Sequence, residues 1–448
     1  MKTSRDLFSH EVKISTLMRL ILPFLVIQLS VNFMRVLDRY MLSEYSVHTM
    51  NAVHYALSLC SIMTEPLCSC AYVVAIFVGR YNGSGQSERA GGSVWQMMYL
   101  AMFLSLILYP LSLLTRGLLY IPAEYVSDAM SYQVVLLRAT GVFIAYVALA
   151  SFFFAIGNVA VVMMVSVLGN ILNYLFNKLL IFGCCWIPSL GAEGAALSTV
   201  ISTILQIMCM LAIFFRSEYR EKFGVLRLRL NIWKILRMMK IGIPLSLGHA
   251  MYALALFVIY QIVIVVSNDL ATLEALGSMI FGFFIFFAES LGKTVSTYSA
   301  NLIGSGDVHA ISRMVRKCLL LQGIVCAILA VPMLFCAEKV FDLSQFSHSV
   351  PHLKAAACLV LRMTWVSIAL DGASSVFYGV LTAGADIRFL LFNSMLVSAI
   401  LVLPIVALFY LDRIVSIDPV LYMFVISGVV NLVLLIARYR KGRWLHKL

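Results

Sequence analysis

The chain has 448 residues, 62% of them hydrophobic and 12% charged, with a net charge of +12. A soluble domain carries about 25% charged residues, so this composition excludes a soluble globular protein and predicts a polytopic membrane protein. The basic excess alone would suit a nucleic-acid partner, but its distribution along the chain does not, and no nucleic-acid partner is expected.

A helix of about 20 apolar residues crosses a bilayer. Twelve such segments can be placed, at 17–38, 50–78, 92–115, 133–157, 159–182, 194–215, 241–267, 275–303, 315–340, 355–383, 388–411 and 419–437. The first sixteen residues are polar and basic and read as a cytoplasmic lead-in. No cleavable signal peptide is expected, because the first segment is too long and lacks a small-residue cleavage site. That segment reads LMRLILPFLVIQLSVNFMRVLDRY from Leu17 to Tyr40, with Pro23 inside it, Asp38 near its end and Arg35 a turn earlier. A proline within a membrane helix frees a backbone carbonyl and makes a bend. A carboxylate at membrane depth is unfavourable and points to function. Together they suggest a bendable helix that carries a titratable group. The plainer alternative is a fixed kink and a wetted helix end, with Asp38 paired to Arg35 or Arg39.

Segment 2 holds a second acid beside a helix breaker, Glu65-Pro66, and ends in the turn Gly79 to Gln86, cytoplasmic by its arginines. Segments 3 and 4 are joined by an outer loop with Pro122, Glu124 and Asp128. In segment 5, Asn170, Asn173 and Asn177 recur at spacings of three and four and share one helical face. Such amides either glue helices together or form a polar wall. Segment 6 opens with small residues, Gly191 to Ala196, that allow close packing. The stretch from Arg216 to Lys240 is the longest polar run and reads as a linker lying on an anionic inner leaflet.

The second half repeats the first. Pro23 and Pro244 are 221 residues apart, as are Gly83-Ser84-Gly85 and Gly304-Ser305-Gly306; Pro110 and Pro332 lie 222 apart, and Arg138 and Arg362 lie 224 apart. Six segments separate equivalent positions, so the repeats are parallel. The expected fold is an all-α membrane protein of two six-helix bundles related by a pseudo-two-fold axis along the membrane normal. Its parts are residues 1–215, a basic linker at 216–240, and residues 241–448. Asp371, near the middle of segment 10, is the sharpest polar residue of the second half. Glu289 and Lys293, four apart in segment 8, should pair with each other, and a lone His249 in segment 7 reads as a hydrogen-bonded packing residue. The ten cysteines show no metal-ligand spacing. Counted from a cytoplasmic N-terminus, 23 Lys and Arg fall inside and 5 outside, which by the positive-inside rule puts both termini in the cytoplasm.

The chain resembles the multidrug and toxic-compound extrusion (MATE) family along nearly its whole length. The features that carry this are Pro23 with Asp38, the two Gly-x-Gly turns, Asn173, Asn177, Ile181 and Gly183 followed by GAEGAALST, and Asp371. The resemblance implies export of amphipathic, often cationic compounds driven by inward flow of H+ or Na+. It also implies a cation site at Asp38, Asn173, Asn177 and Thr199. Asn177 stands where many members have a second aspartate. Tyr252 stands where members with a C-terminal site have a glutamate to partner the aspartate matching Asp371.

The expected function is therefore an antiporter in the plasma (inner) membrane, acting as a monomer by alternating access, with ion coupling at Asp38, Asn173, Asn177, Thr199 and Asp371. Pro23 bends the helix, and Glu65, Tyr252 and Glu289 are candidates for the substrate cavity. A single carboxylate among two amides and a hydroxyl is a modest cage for Na+, so H+ is the expected ion, with no other cofactor. A lipid-linked precursor flippase of the same superfamily is the alternative, kept open by Arg35, Arg138, Lys178, Lys293 and Arg362. A membrane enzyme is not expected, since no nucleophile–base set, metal cluster or phosphate loop stands out.

Overall fold

The computed structural model describes residues 12–114, 124–184, 186, 188–343, 351–411, 413–414, 416–442 and 444–445. Most of the polar, basic first sixteen residues and part of the loop holding Pro122 lie outside them. Among the described residues sixteen α-helices carry the fold: α1 (Ile14–Tyr45), α2 (Val47–Ala71), α3 (Val73–Gly83), α4 (Ala90–Leu114), α5 (Val126–Arg138), α6 (Thr140–Ala155), α7 (Val159–Phe182), α8 (Gly191–Phe214), α9 (Ser217–Phe223), α10 (Ile232–Val266), α11 (Asn268–Ser305), α12 (Val308–Ala330), α13 (Ala337–Leu343), α14 (Lys354–Ala383), α15 (Ile387–Tyr410) and α16 (Asp418–Arg440).

Ten helices among the described residues are long and apolar enough to cross a membrane, and α5 with α6, bent by 47°, makes an eleventh. The remaining segment is α2 followed by α3, with only Tyr72 between them. α3 is short, and α2 is less apolar, with Asn51, His54 and Glu65 along it. Prolines sit inside α1, α2, α4, α10 and α15. α1 continues through Pro23; a freed carbonyl in a membrane helix finds partners in neighbouring helices and side chains.

The chain forms two compact units. The first holds Leu22–Ser246 together with Ala300–Gly306, and the second holds residues 12–21, Leu247–Ser299 and 307–445. In the first unit the repeated glycine turns have a physical cause. Gly85 and Gly306 take φ of 78° and 81°, values that cost a side chain strain. Their predecessors Gly83 and Gly304 lie where backbones touch. A Cβ on Gly83 would fall 2.0 Å from the Asn301 carbonyl oxygen, and one on Gly304 would fall 2.3 Å from that of Arg80. Beside them Asn82 Nδ2 donates to Asn301 Oδ1 at 2.7 Å, and Asn301 Nδ2 donates to the Ala155 carbonyl at 2.9 Å. Gly83→Val should therefore force α3 away from this seam and break the buried amide pair, costing about 1–3 kcal/mol or more. Thermal unfolding of the purified protein in detergent should show a clearly lowered Tm; an unchanged Tm would mean the seam yields freely.

The stretch after α8 is fastened to the first unit. Phe152 meets Phe214 and Phe223 edge to face at 4.8 and 5.3 Å, and Asn158 Nδ2 donates to the Tyr219 hydroxyl at 2.7 Å. Beyond Gly224 the backbone runs along α4. Trp95 Nε1 donates to the Val225 carbonyl at 2.6 Å, the Tyr99 hydroxyl to that of Leu228 at 2.5 Å, and Gln96 Nε2 to that of Arg229 at 2.9 Å.

Candidate functional site

The first polar cluster lies in the first unit, where α1, α7 and α8 meet. The i, i+4 spacing of Asn173 and Asn177 puts both amides on the same side of α7, and both are buried. Asn177 Nδ2 donates to Asp38 Oδ1 at 2.5 Å and to Asn173 Oδ1 at 3.1 Å. Asn173 Nδ2 in turn donates to Thr199 Oγ1 at 3.4 Å, and that hydroxyl donates to the Ala195 carbonyl a turn earlier on α8 at 3.2 Å. The four residues thus form a continuous hydrogen-bonded row ending at one carboxylate. Asn177 Oδ1 is buried with no partner, an acceptor left open beside Asp38. Tyr132 of α5, also buried, stands within electrostatic reach of Asp38 and was not singled out from the sequence, since a tyrosine in an apolar helix carries no signal of its own.

The pairing of Asp38 with an arginine is not formed. Arg35 Nη1 donates instead to Asn32 Oδ1 at 3.4 Å, and Arg39 Nη2 meets His54 Nδ1 at 3.3 Å; both arginines are exposed. The asparagine face divides between its two readings. Asn170 binds the Ser30 hydroxyl and carbonyl at 2.5 and 2.6 Å and so ties α7 to α1.

The second cluster is a cavity of about 460 Å³ wholly within the second unit. Its polar lining comes from α10 (His249, Tyr252), α11 (Glu274, Ser278), α14 (Thr364, Ser367, Asp371, Tyr378), α15 (Asn393, Ser394) and α16 (Ser427, Asn431), with Leu256, Phe281, Met363 and Phe424 among the apolar residues. Among the described residues Asp371 has no hydrogen-bond or ion-pair partner. Glu274 accepts from the Ser278 hydroxyl. Asn393 Nδ2 donates to Asn431 Oδ1 at 2.7 Å, leaving Asn393 Oδ1 buried and unpartnered. His249 Nε2 lies 3.2 Å from the Tyr378 hydroxyl, the packing contact expected of it. No Lys or Arg lines the cavity.

Of the remaining candidates, Tyr252 lines this cavity with Asp371, whereas Glu65 and Glu289 do not. Glu65 is exposed, and Glu289 lies 4.0 Å from Lys293 in the expected pair. Glu274 was missed because segment 8 was expected to begin at 275; the helix starts at Asn268, which puts Glu274 inside it. Among the described residues no group of three His, Cys, Asp or Glu could hold a metal ion.

The MatE family model matches residues 23–179 and 244–408, one match in each half. The uncharacterized transporter YisQ of Bacillus subtilis is 23% identical over 434 residues, 93% of this chain and 91% of that protein. The "Probable multidrug resistance protein NorM" of Thermotoga maritima is 21% identical over 285 residues, and the match spans 62% of this chain and 61% of NorM. Among solved structures, an outward-facing multidrug resistance MATE family transporter of the MOP superfamily superposes with a TM-score of 0.83 at 17% identity, covering 100% of this chain and 99% of that one. Two matched halves, an all-helical membrane fold and a near full-length relative agree with one another: this chain is a multi-pass membrane protein and belongs to the MatE family of transporters.

Proposed function

We propose that this protein exports small amphipathic cations in exchange for protons. The observation that carries the reading is the contrast between the two carboxylate sites. Asp38 sits at the end of a row of neutral amides and a hydroxyl, too few charged oxygens for a good Na+ cage but sufficient for a proton. Asp371 and Glu274 stand in the wall of a cavity of about 460 Å³ with apolar surfaces between them, a setting that attracts an organic cation and shelters its apolar body.

Protonation of Asp38 removes the charge that strengthens its bond from Asn177. The new O–H is a donor, and Asn177 Oδ1 is the open acceptor beside it. Rearrangement there frees α1 to bend at Pro23 and drives release of substrate. The flippase alternative fits less well, since a pyrophosphate needs cations and the cavity lining supplies carboxylates. The deciding measurement is efflux of cationic dyes from proteoliposomes under imposed H+ and Na+ gradients: H+ should drive it. Transport driven by Na+ alone at fixed pH would overturn the coupling assignment.

We take the protein to act as a monomer in the plasma membrane, and its basic-residue asymmetry supports cytoplasmic termini. Ser84→Cys and Ser305→Cys, in the two glycine turns, should resist an impermeant thiol reagent added outside intact cells and react in inverted vesicles. Labelling from outside would reverse the topology.

A further inference from the structure

Positive charge is left unbalanced at the start of α10. Lys234 Nζ donates to the Arg89 carbonyl at 3.4 Å and lies 5.2 Å from the centre of the Tyr81 ring. The Arg89 guanidinium is within electrostatic reach of this ammonium. Glu88 next to it is taken by Arg227 at 2.6 Å. Among the described residues neither Arg89 nor Lys234 has a carboxylate in ion-pair range, and like charges held close together oppose one another. Such a pair suits an anion.

The neighbouring surface says which anion. Residues 225–231 have their backbone tied to α4 by Trp95, Gln96 and Tyr99, while Leu226, Leu228 and Leu230 project outward, 50–59% exposed. Trp233 follows at 80% exposure, and Arg229 is exposed among the leucines. α4 is long and apolar enough to cross a membrane, so an apolar row tied to its first turns suits the bilayer surface. Leucines, a tryptophan and cations in one short stretch are the composition of a segment lying at the headgroup–acyl boundary.

We propose that Arg89, Lys234 and Arg229 bind the phosphate of an acidic phospholipid, whose acyl chains cover Leu228 and Trp233. A soluble anion would use the cations and leave the apolar row bare. The proposal is independent of what the protein transports.

The test is native mass spectrometry of the full-length protein released from nanodiscs of equal phosphatidylglycerol and phosphatidylcholine. The wild type should retain phosphatidylglycerol preferentially. Arg89→Gln with Lys234→Gln should lower that preference about thirty-fold, the effect of two cations near a lipid surface. The charge-matched pair Arg216→Gln with Lys222→Gln should leave it within about twofold, each being outside the site. Equal losses in the two pairs would reduce the site to net charge and overturn the proposal. So would displacement of the lipid by millimolar inorganic phosphate, or unchanged retention in the first pair. If Lys234→Gln prevents folding, the exposed pair Arg229→Gln and Trp233→Ala carries the same test, with at least a fivefold loss expected and unchanged retention decisive against it.

Discussion

Asp38→Asn is expected to abolish proton-driven efflux, with a loss of at least tenfold, while the protein still inserts and folds. Asn keeps the size of the side chain and can accept from Asn177 through its own carbonyl, so the row to Asn173 and Thr199 survives. It loses the titratable oxygen and the charge that makes the 2.5 Å contact strong. A hydrogen bond to a charged group contributes about 1.5–3 kcal/mol, and that is the energy by which proton binding can shift α1 between two arrangements; about 1.4 kcal/mol corresponds to a tenfold change in population. Pro23→Ala restores the helix hydrogen bond and stiffens the same element, so it should slow transport without changing which ion drives it. Dye efflux from proteoliposomes under an imposed pH gradient reads both variants. An Asp38→Asn protein that still follows the pH gradient would remove Asp38 from the coupling step.

Glu274→Gln combined with Asp371→Asn is expected to weaken binding of a monovalent organic cation by about a hundredfold or more, and of a neutral analogue of the same shape by less than threefold. The two carboxylates are the acidic groups of the cavity lining. At an effective dielectric of about 20, a charge about 4 Å away contributes about 4 kcal/mol before desolvation is subtracted, which leaves about 2–3 kcal/mol for a cation sheltered between apolar walls. The single variants should each lose less than the pair. Asn393→Ala removes the buried, unpartnered Oδ1 and should cost a further few-fold wherever the ligand carries an N–H. Fluorescence titration with a matched pair of cationic and neutral dyes makes the comparison. Equal weakening of both would show that the change is one of shape, and unchanged cation affinity would place the substrate elsewhere.

The membrane class and the doubled plan were determined by the sequence alone, because hydrophobic composition and a constant offset between equivalent prolines and glycines survive without any knowledge of packing. The repeat was informative about conformation as well. The second glycine of each turn takes positive φ and the first lies at a backbone contact, requirements that only glycine meets, so the pattern persists where other residues have diverged. The grouping of Asp38, Asn173, Asn177 and Thr199 was legible from helical spacing together with the family resemblance.

Tertiary structure decided the rest. Spacing placed Asn170 on the same face as Asn173 and Asn177, yet only the position of Ser30 shows that it fastens two helices. Proximity in sequence offered Arg35 and Arg39 to Asp38, and Arg35 even shares its helical face at i, i+3, yet the packed structure pairs them with Asn32 and His54 instead. Glu274, Asp371 and Asn393 come from three helices separated by long stretches of chain, and no periodicity within one helix reports on what faces it from another. Their convergence on one cavity is a property of the packed bundle, as is the lack, among the described residues, of a carboxylate in ion-pair range of Lys234 and Arg89, which the +12 net charge could only make plausible.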